Sequence, residues 1–520
     1  MFTAASAPGL IKPPSVSTRT RWLAPLVVAL LAFAAYAITL GGTYIYDDVA
    51  VVHDDPRVLQ PSKWVQLWTK PYFAKSVDQL YRPLVSMSFA IENWMHGDKA
   101  WIFHLVNILL HAAVAAVVTL LGLRIGGAAV GWIAGILFAV HPVHVEAVAG
   151  LVGRSELACA LFTVIGILIF IRPGPTNWWR IIGITICFIV AVLSKEQGIL
   201  FPAMLLAAEP LRQVDRKSPA ERQGRLWLIL LLSWMLAWYL FARQAVAPLA
   251  WDRQTLDWYV NPVVRSVGAD RALMPLVILG HYAVLLVFPW RMLIDYGGLI
   301  IGYHASWSDP YLYLGMATVA AWVVATVIAW RKRKFAMLFC LLGLAISYSV
   351  VGNFLTLIGT IMGDRLMYMP SIFFLLAIAL IVARLPRRVV WPLLGICVAL
   401  ALVRTETYAW LWNDRVRLCK EMVRIEPRSE RAYSLLWGEY KDAGDFKDAD
   451  QVADQSLKWI PYRWEPYVMV MDGYLRRGDF DHADQVVDDA LSRLKSKNEH
   501  LLMVNWKQVI AKKRAESQTH

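Results

Sequence analysis

The chain has 520 residues, of which 58% are hydrophobic, and a formal net charge of +13 at pH 7. A mean hydropathy of +0.47 is too high for an ordinary soluble enzyme, and several runs approach the roughly 18–20 apolar residues that cross a bilayer. The positive charge does not indicate nucleic-acid binding, because the basic residues cluster in short loops between apolar runs. The class is therefore a polytopic, all-α membrane protein.

The first apolar run follows a basic N-terminal segment. Lys12, Arg19 and Arg21 precede Trp22–Leu40, an order that is also typical of a secretory signal sequence. The run does not end in a convincing small-residue cleavage site. We therefore expect residues 1–21 to be cytoplasmic and the run to stay in the membrane as the first transmembrane helix.

Ten further apolar runs predict membrane spans, so that the chain crosses the membrane about eleven times. Basic loops such as Val214–Arg225 and Arg331–Lys334 fall on the cytoplasmic side when the N-terminus starts inside, which supports this register. The membrane domain then covers 22–407, and the C-terminus lies outside. The predicted spans are 22–41, 101–123, 127–141, 156–172, 180–194, 197–211, 226–246, 311–330, 335–356, 367–384 and 389–406.

The apolar segment 271–290 is the exception. If it crossed the membrane, the basic cluster Arg331–Lys334 would lie outside, against the rule that positive loops stay in the cytoplasm. The segment also contains residues that suit a broken or re-entrant stretch lining a polar cavity. We therefore predict that it does not span. The residues concerned are Pro275, Gly280, His281 and Pro289.

Ionisable residues concentrate at the outer ends of the predicted spans. A charged side chain at membrane depth is costly to keep, so it indicates function. The first outer loop, 42–100, carries Tyr46–Asp48 directly after the first helix, and at least four later loops add cations, acids and histidines. The polar residues on this face are Asp47, Asp48, Asp54, Asp55, Arg82, His141, His144, Glu146, Arg154, Lys195, Glu196, Asp295, Asp364 and Arg365.

The same loop contains Pro61–Phe73, in which Trp64, Leu67 and Trp68 fall at helical spacing. This spacing suits a helix that lies along the membrane surface. A simple interfacial belt of aromatic residues explains it equally well.

The outer face suits the processing of a lipid-linked phosphate. That chemistry needs a carboxylate to take a proton from a hydroxyl, cations to hold the phosphate as it leaves, and an apolar groove for the lipid. Asp47 and Asp48 are the candidate carboxylates, and we favour Asp47 as the base. The candidate cations are Arg154, Lys195 and Arg365, with Arg82 as a weaker one.

Several of these residues also have structural explanations. The acidic pair could be the solvated start of a loop, and Arg365 and Lys195 could anchor helix ends beside their acidic neighbours. Asp54 and Asp55 precede Pro56, where the backbone is biased away from helix, so we expect a turn there.

The sequence around the two closely spaced histidines admits a metal site. His141, His144 and Glu146 are residue types that bind metals, but Pro142 weakens a shared helix face. We therefore favour hydrogen bonding and cavity shape as the role of these residues.

The C-terminal part, 408–520, is polar and contains an internal repeat. Gly444 and Gly478 are 34 residues apart, and Phe446 and Phe480 have the same spacing. A 34-residue period of this kind is the signature of tetratricopeptide repeats, so we predict helix pairs stacked in an α-solenoid. Such a surface either binds protein segments or packs as a lid on the membrane domain.

Taken in order, the motifs resemble those of the transmembrane and tetratricopeptide-repeat O-mannosyltransferases, the TMTC group. The blocks Phe138–Leu157 and Leu193–Ile199 are quite specific, whereas Tyr46–Asp48 alone is not. The full set is Tyr46–Asp48, Tyr81–Leu84, Phe103–His111, Phe138–Leu157, Leu193–Ile199, Leu285–Trp290 and Gly363–Ser371.

This resemblance implies a glycosyltransferase fold of the GT-C type. Such enzymes take a sugar, here mannose, from a polyprenyl-phosphate donor outside the cytoplasm and transfer it, commonly with inversion, to a Ser/Thr hydroxyl of a protein. No cofactor is implied, and a divalent metal is disfavoured. The family's first-loop acid corresponds to Asp47 or Asp48. The candidate residues for the donor phosphate and sugar are Arg82, His141, His144, Glu146, Arg154, Lys195, Glu196, Asp364, Arg365 and Tyr368.

Two features differ from the eukaryotic members of that group. The repeat array is much shorter than theirs, and the chain has no Asn-X-Ser/Thr sequon. We therefore expect a bacterial inner-membrane protein whose repeats lie in the periplasm and bind the acceptor protein. Two alternatives stay open: a GT-C enzyme that glycosylates a lipid or cell-wall glycan, and a non-catalytic scaffold that recruits partners through its repeats.

Overall fold

The computed structural model describes residues 16–74, 80–248 and 260–518, and within these ranges it contains helices and loops but no β-strand. The predicted all-α class is therefore confirmed for the described residues. The chain divides into two compact units. The first comprises Met1–Met292 and Tyr303–Asn413, and the second comprises Leu293–Gly302 and Asp414–His520.

The first unit contains the apolar helices. In chain order, the α-helices up to residue 411 are α1 (Thr18–Tyr36), α2 (Pro56–Leu59), α3 (Trp64–Thr69), α4 (Pro83–His96), α5 (Ala100–Gly126), α6 (Ala128–Ala139), α7 (Val145–Ala149), α8 (Arg154–Phe170), α9 (Trp178–Ser194), α10 (Phe201–Ala208), α11 (Pro219–Val246), α12 (Gly268–Val287), α13 (Gly298–Ile301), α14 (Pro310–Arg331), α15 (Phe335–Ser349), α16 (Tyr368–Val382) and α17 (Arg387–Leu411). Of these, only the short α13 belongs to the second unit.

Eight helical segments of the described ranges are long and apolar enough to cross a membrane, which indicates a multi-pass membrane protein. A ninth candidate is the pair Ala128–Ala139 and Pro142–Ala149, which is bent by 53° at its break. The eight segments are Thr18–Gly41, Ala100–Gly126, Leu151–Phe170, Pro219–Val246, Gly268–Val287, Pro310–Arg331, Asp364–Val382 and Arg387–Leu411.

The predicted count of eleven spans is not confirmed. Helices α9 and α15 have 17 and 15 residues. At a rise of about 1.5 Å per residue they are shorter than the hydrocarbon core of a bilayer, which is about 30 Å thick. The predicted span 197–211 is divided into a 3₁₀ turn, the short α10 and a second 3₁₀ turn. Proline near the start of the last two pieces explains the division, because proline fits the first turn of a helix but not its interior.

In the segment predicted to be broken, 271–290, residues 271–287 lie in one continuous helix, α12, with Pro275 inside it. Helix α12 packs closely on α14. A Cβ on Gly280 of α12 or on Gly315 of α14 would lie 2.0 Å and 1.9 Å, respectively, from a carbonyl oxygen of the facing helix. The expectation of a break is wrong, because this glycine-mediated packing supports the helix around its proline. Helix α12 is also one of the eight candidate spans, so its exclusion from the membrane stays a prediction.

The first outer loop has a hydrophobic core of its own. Buried residues of α2, α3 and α4 pack there against Phe103 of α5 and Leu151. Leu67 of α3 is buried in this core, and Trp64 and Trp68 pack against it partly buried. The aromatic residues of this helix therefore contribute to the folding of the loop itself.

Asp55 has the turn role expected of it. Its carboxylate accepts the N–H of Arg57 at 2.8 Å and caps the start of α2, and the two side chains form a buried ion pair at 2.6 Å. The Arg57 guanidinium also donates to the carbonyl oxygens of Pro71 at 2.6 Å and Tyr72 at 2.8 Å. The pair therefore ties the start of α2 to the chain that follows α3.

The second unit repeats its helices at the predicted period. Glycine precedes the second helix of each pair in the left-handed region, with φ of +75° at Gly444 and +73° at Gly478. Consecutive helices pack on one another along the chain. Their assignment to the tetratricopeptide class stays a prediction. The helices are α18 (Arg415–Ile425), α19 (Glu430–Asp442), α20 (Phe446–Trp459), α21 (Trp464–Arg476), α22 (Phe480–Arg493) and α23 (Lys497–Gln518), and α19 and α20 begin 34 residues before α21 and α22.

Candidate functional site

The two adjacent carboxylates of the first loop have different surroundings. Tyr46, just before them, has a φ of +58°, an uncommon value for a residue with a side chain. Asp48 is 1% exposed and accepts the backbone N–H of Val152 at 2.9 Å and of Ile45 at 3.3 Å. The Asp47 side chain is 23% exposed. The Asp47 side chain is therefore partly accessible to solvent, whereas Asp48 ties the loop to Val152, just before α8.

The burial of Asp48 also changes its acidity. Loss of solvent raises the pKa of Asp48 to about 7, although the backbone N–H groups that it accepts lower this pKa. A carboxyl with this pKa could act as a base near neutral pH. Its oxygens are nevertheless engaged by the backbone and shielded from solvent, so a substrate hydroxyl has better access to Asp47.

Arg365 joins Asp47 to Glu146. Its Nη1 and Nη2 atoms lie 3.3 and 3.4 Å from Asp47 Oδ2, and its Nε lies 3.4 Å from Glu146 Oε1. The backbone N–H of Arg365 donates to the other oxygen of Glu146 at 2.7 Å. Because a guanidinium has five N–H groups, these contacts leave Arg365 able to donate to a further oxygen ligand.

Arg82 and Lys195 each pair with an acid. Arg82 donates to Glu196 Oε2 from Nη2 at 2.9 Å and from Nε at 3.1 Å. The buried Lys195 forms an ion pair with Glu156, an acid that the sequence analysis did not single out. Burial lowers the pKa of Lys195 well below its ordinary value, and the positive charges of Arg82 and Arg365 lower it further. The three cations therefore share one neighbourhood.

Arg154 differs from these three cations, because groups of the protein accept hydrogen bonds from all of its N–H groups. Its Nε donates to Asn107 at 2.9 Å, and its Nη1 donates to Ser88 at 2.8 Å and to Glu92 at 2.5 Å. Its Nη2 donates to Glu92 at 2.9 Å and to the carbonyl oxygen of Phe103 at 3.1 Å. With these five contacts Arg154 locks α4 and α5 to α8 and has no N–H left for a phosphate.

Both nitrogens of each predicted site histidine contact protein atoms. His141 Nε2 lies 3.1 Å from the carbonyl oxygen of Leu286, and its Nδ1 accepts the N–H of the residue two positions later at 3.2 Å. His144 Nδ1 lies 3.0 Å from the carbonyl oxygen of Phe138, and its Nε2 lies 2.8 Å from Ser371 Oγ. In the described part of the chain, no group of three or more His, Cys, Asp or Glu residues is arranged to hold a metal. The preference for hydrogen bonding over a metal site at these histidines stays a prediction.

Asp364 and Tyr368 lie in the protein interior. Both side chains are fully buried. The Tyr368 hydroxyl is 2.8 Å from Nδ1 of His111, whose Nε2 is 3.3 Å from the carbonyl oxygen of Ala139. Their burial and the contact of Tyr368 with His111 indicate a packing role in the segment that carries Arg365.

One residue of this region was missed in the sequence. Tyr72 lies in the first loop, and the Arg82 guanidinium carbon is 5.3 Å from the centre of its ring. Its backbone N–H donates to the carbonyl oxygen of Leu80 at 2.7 Å. A tyrosine in a loop rich in aromatic residues carries no signal of its own, because only the folded loop brings it beside Arg82.

Sequence comparisons place this site in context. No family model matches the sequence. The protein O-mannosyl-transferase TMTC2 of Mus musculus is 33% identical over 193 residues, which cover 34% of this chain and 23% of the relative. A protein O-mannosyl-transferase of Caenorhabditis elegans is 25% identical over 450 residues, covering 84% of this chain and 62% of the relative. The protein O-mannosyl-transferase TMTC4 of Homo sapiens is 26% identical over 407 residues, which cover 67% of this chain and 54% of the relative.

The matched stretch spans between 23% and 62% of the length of these relatives. Over most of its length the chain is nevertheless similar to proteins that carry the name of an O-mannosyl-transferase. The resemblance stated from the motifs is confirmed at this level, and it supports a glycosyltransferase.

Proposed function

We propose that the chain is a membrane glycosyltransferase of the TMTC type. It moves a sugar, mannose, from a polyprenyl-phosphate donor to Ser/Thr hydroxyls of exported proteins and inverts the anomeric carbon. The names of the relatives support the activity. The observation that carries the proposal is the accessible Asp47 carboxylate in direct contact with Arg365, beside two further cations.

Asp47 is the general base in this proposal. It accepts the proton of the acceptor hydroxyl while that oxygen forms a bond to the anomeric carbon of the sugar. A base must lie within hydrogen-bonding reach of the proton that it takes, which favours the partly exposed Asp47 over the buried Asp48. The long contacts from Arg365 to Asp47, 3.3 and 3.4 Å, hold the carboxylate without occupying it fully.

The cations serve the leaving group. The bond between the anomeric carbon and the phosphate oxygen breaks, its electron pair stays on the phosphate, and polyprenyl phosphate leaves with one more negative charge. Arg365 and Arg82 have N–H groups left to stabilise this charge. Because these side chains supply the positive charge, we propose that the reaction needs no divalent metal and no cofactor.

The membrane part supplies the place of the reaction. The polyprenyl chain lies along the apolar helices in the bilayer, and the reacting groups lie at the outer ends of the spans. We place the protein in the inner membrane of a bacterium, with the N-terminus in the cytoplasm and the repeat unit in the periplasm. The repeat helices then bind the acceptor protein. The basic loops and the 34-residue period support this arrangement.

A single substitution tests the base. The full chain is reconstituted in lipid nanodiscs with polyprenyl-phosphate mannose and a Ser/Thr peptide, and mannosylated peptide is measured by mass spectrometry. Asp47→Asn keeps the shape of the side chain and removes its basicity, so the rate should fall at least about 100-fold. Asp54→Asn is the matched control, because Asp54 is an exposed acid of the same loop. It should keep the wild-type rate.

Other results would favour the alternatives. If Asp47→Asn transferred sugar at the wild-type rate, Asp47 would not be the base. If the wild type modified a lipid or a glycan in membranes but no peptide, the enzyme would be a GT-C transferase of another acceptor class. If the wild type transferred no sugar from any polyprenyl-phosphate donor, the scaffold alternative would gain support.

A further inference from the structure

The hydroxyl of Tyr72 is an unsatisfied buried group. The residue is 3% exposed, and its Oη has no hydrogen-bond partner within the described ranges 16–74, 80–248 and 260–518. Other buried tyrosine hydroxyls of the described residues, such as that of Tyr433, also lack a partner, so the missing partner of Tyr72 points to a ligand only together with its position beside Arg82. Tyr72 lies in the segment Pro61–Phe73, but the sequence analysis assigned no role to it.

The ring of Tyr72 is held firmly. Its backbone N–H donates to Leu80, and its carbonyl oxygen accepts from Arg57 at 2.8 Å. Arg57 is itself fixed by the buried ion pair with Asp55. The ring packs in the hydrophobic core of the first loop with Phe73 against it at 5.2 Å between ring centres. The hydroxyl therefore keeps its place without a hydrogen bond of its own.

The ring of Tyr72 lies beside one cation of the candidate site, because the Arg82 guanidinium carbon is 5.3 Å from the ring centre. Burial raises the pKa of Tyr72, the charges of Asp47 and Asp48 raise it further, and those of Arg82 and Arg365 lower it. The hydroxyl is thus protonated at neutral pH and is available as a donor. A donor among two arginines suits an anionic oxygen, since hydrogen bonds to ionised acceptors are the stronger ones.

We propose that Tyr72 binds the phosphate of the lipid-linked sugar and donates a hydrogen bond to one of its oxygens, beside Arg82 and Arg365. This assignment rests on the proposed function and adds a residue to it. The phosphodiester of the donor has one negative charge, and the phosphate gains a second one when the bond to the sugar breaks. The hydrogen bond therefore strengthens during the reaction, and the phenol keeps its proton throughout.

Tyr72→Phe is the direct test. Phenylalanine keeps the ring and removes only the hydroxyl. The full-length protein in nanodiscs is titrated with polyprenyl monophosphate, the product of the proposed reaction, and kcat for peptide mannosylation is measured separately. We expect binding of the lipid phosphate to weaken about 10-fold or more and kcat to fall by about 10- to 100-fold. The ligand-free protein should melt at the same temperature as the wild type or higher, because the variant no longer buries an unpaired hydroxyl.

Tyr433→Phe is the matched control. Tyr433 lies in the second unit, and its buried hydroxyl also has no hydrogen-bond partner in the described residues. The same substitution there should change neither the affinity for polyprenyl monophosphate nor kcat. Inorganic phosphate at the same concentrations distinguishes the lipid headgroup from free phosphate, and we expect it to bind much more weakly than the lipid.

The outcomes separate this assignment from the proposed function. Wild-type protein that bound no polyprenyl monophosphate would overturn the proposed function and, with it, the role of Tyr72. Wild-type binding with an unchanged affinity and kcat in Tyr72→Phe would overturn the role of Tyr72 alone. A lower melting temperature of ligand-free Tyr72→Phe with unchanged affinity would show a structural hydroxyl instead. Equal affinity for inorganic phosphate would contradict a lipid-linked ligand.

Discussion

Each unit of the molecule contains an arginine surrounded by carboxylates, and the two clusters differ in how tightly they are built. In the second unit Arg463 donates to Glu430 and Glu465 at 2.6 Å and to Glu499 at 3.3 Å, and its side chain is 5% exposed. In the first unit Arg365 is 27% exposed, and its side chain contacts acids only at 3.3 to 3.4 Å.

This difference separates a structural ion cluster from a candidate ligand site. Three carboxylates satisfy Arg463 and tie α19, α21 and α23 together at close range. The contacts of Arg365 are long, and hydrogen bonds of catalytic groups are often long before a substrate is bound. Spare donors and partial exposure are therefore better guides to a binding role than the presence of buried charge.

Removing Arg463 should have the largest effect on stability. In Arg463→Ala three carboxylates lose their shared cation, so we expect the second unit to lose about 3–5 kcal/mol, as when one partner of a buried ion pair is removed. Thermal unfolding of the full-length protein measures the loss. Arg424→Ala is the control, because Arg424 pairs with Glu421 on the surface, and it should leave the melting temperature close to that of the wild type. Equal losses of stability in the two variants would contradict the structural role assigned to the Arg463 cluster.

Arg365→Lys should affect activity more than stability. Lysine keeps the charge but loses the fork that reaches Asp47 and Glu146 at once. We expect the transfer rate to fall about 10²- to 10³-fold, the usual cost of losing one donor to a developing negative charge, with little change in melting temperature.

Arg154→Lys tests whether Arg154 has a structural role, in contrast to the binding role expected of Arg365. All N–H groups of Arg154 are used within the protein, so lysine cannot replace them, and the melting temperature should fall. If Arg365→Lys unfolded the protein and Arg154→Lys did not, the two arginines would have the opposite roles.

The smallest expected effect is a pH dependence in the second unit. Burial raises the pKa of Glu465, and the nearby Glu430 raises it further, although Arg463 lowers it. The folded protein therefore holds a proton that the unfolded chain releases above about pH 4.3, so stability should fall as the pH rises from this value towards the folded pKa. Glu465→Gln removes the titrating group, so the stability of this variant should fall less between pH 5.5 and pH 8 than that of the wild type. Chemical denaturation at both pH values measures this, and parallel pH profiles of variant and wild type would contradict the assignment.

The sequence predicted the candidate site unevenly. Asp47 and Arg365 were both singled out, and the structure brings them into contact although they are 318 residues apart. Arg154 looked equivalent to Arg365 in the sequence, because both cations were expected at the outer ends of spans. They differ because Glu92, 62 residues before Arg154, occupies its guanidinium. Tyr72 had no sequence signal, since its importance depends on Arg82 and on the missing partner of its hydroxyl.

Predictions about the helices succeeded where they depended on local properties. Hydropathy sums identified long apolar helices such as α5 and α14, and the 34-residue period predicted the spacing of the repeat helices. The break expected in 271–290 was wrong, because proline and glycine were weighed without the facing helix, whose close approach supports α12. The count of eleven spans is not confirmed, because apolar composition alone does not measure helix length.

By itself the sequence determined that the chain is an all-α membrane protein with a repeating C-terminal part, since chain-local hydropathy and periodicity decide these properties. It also singled out Asp47 and Asp48 of the first loop as candidate catalytic carboxylates. Only the tertiary structure decided that Asp47 is open and Asp48 enclosed, and which of the cations keep donors for a ligand. The physical reason is that burial and hydrogen-bond satisfaction depend on groups far apart in the chain, which no local pattern records.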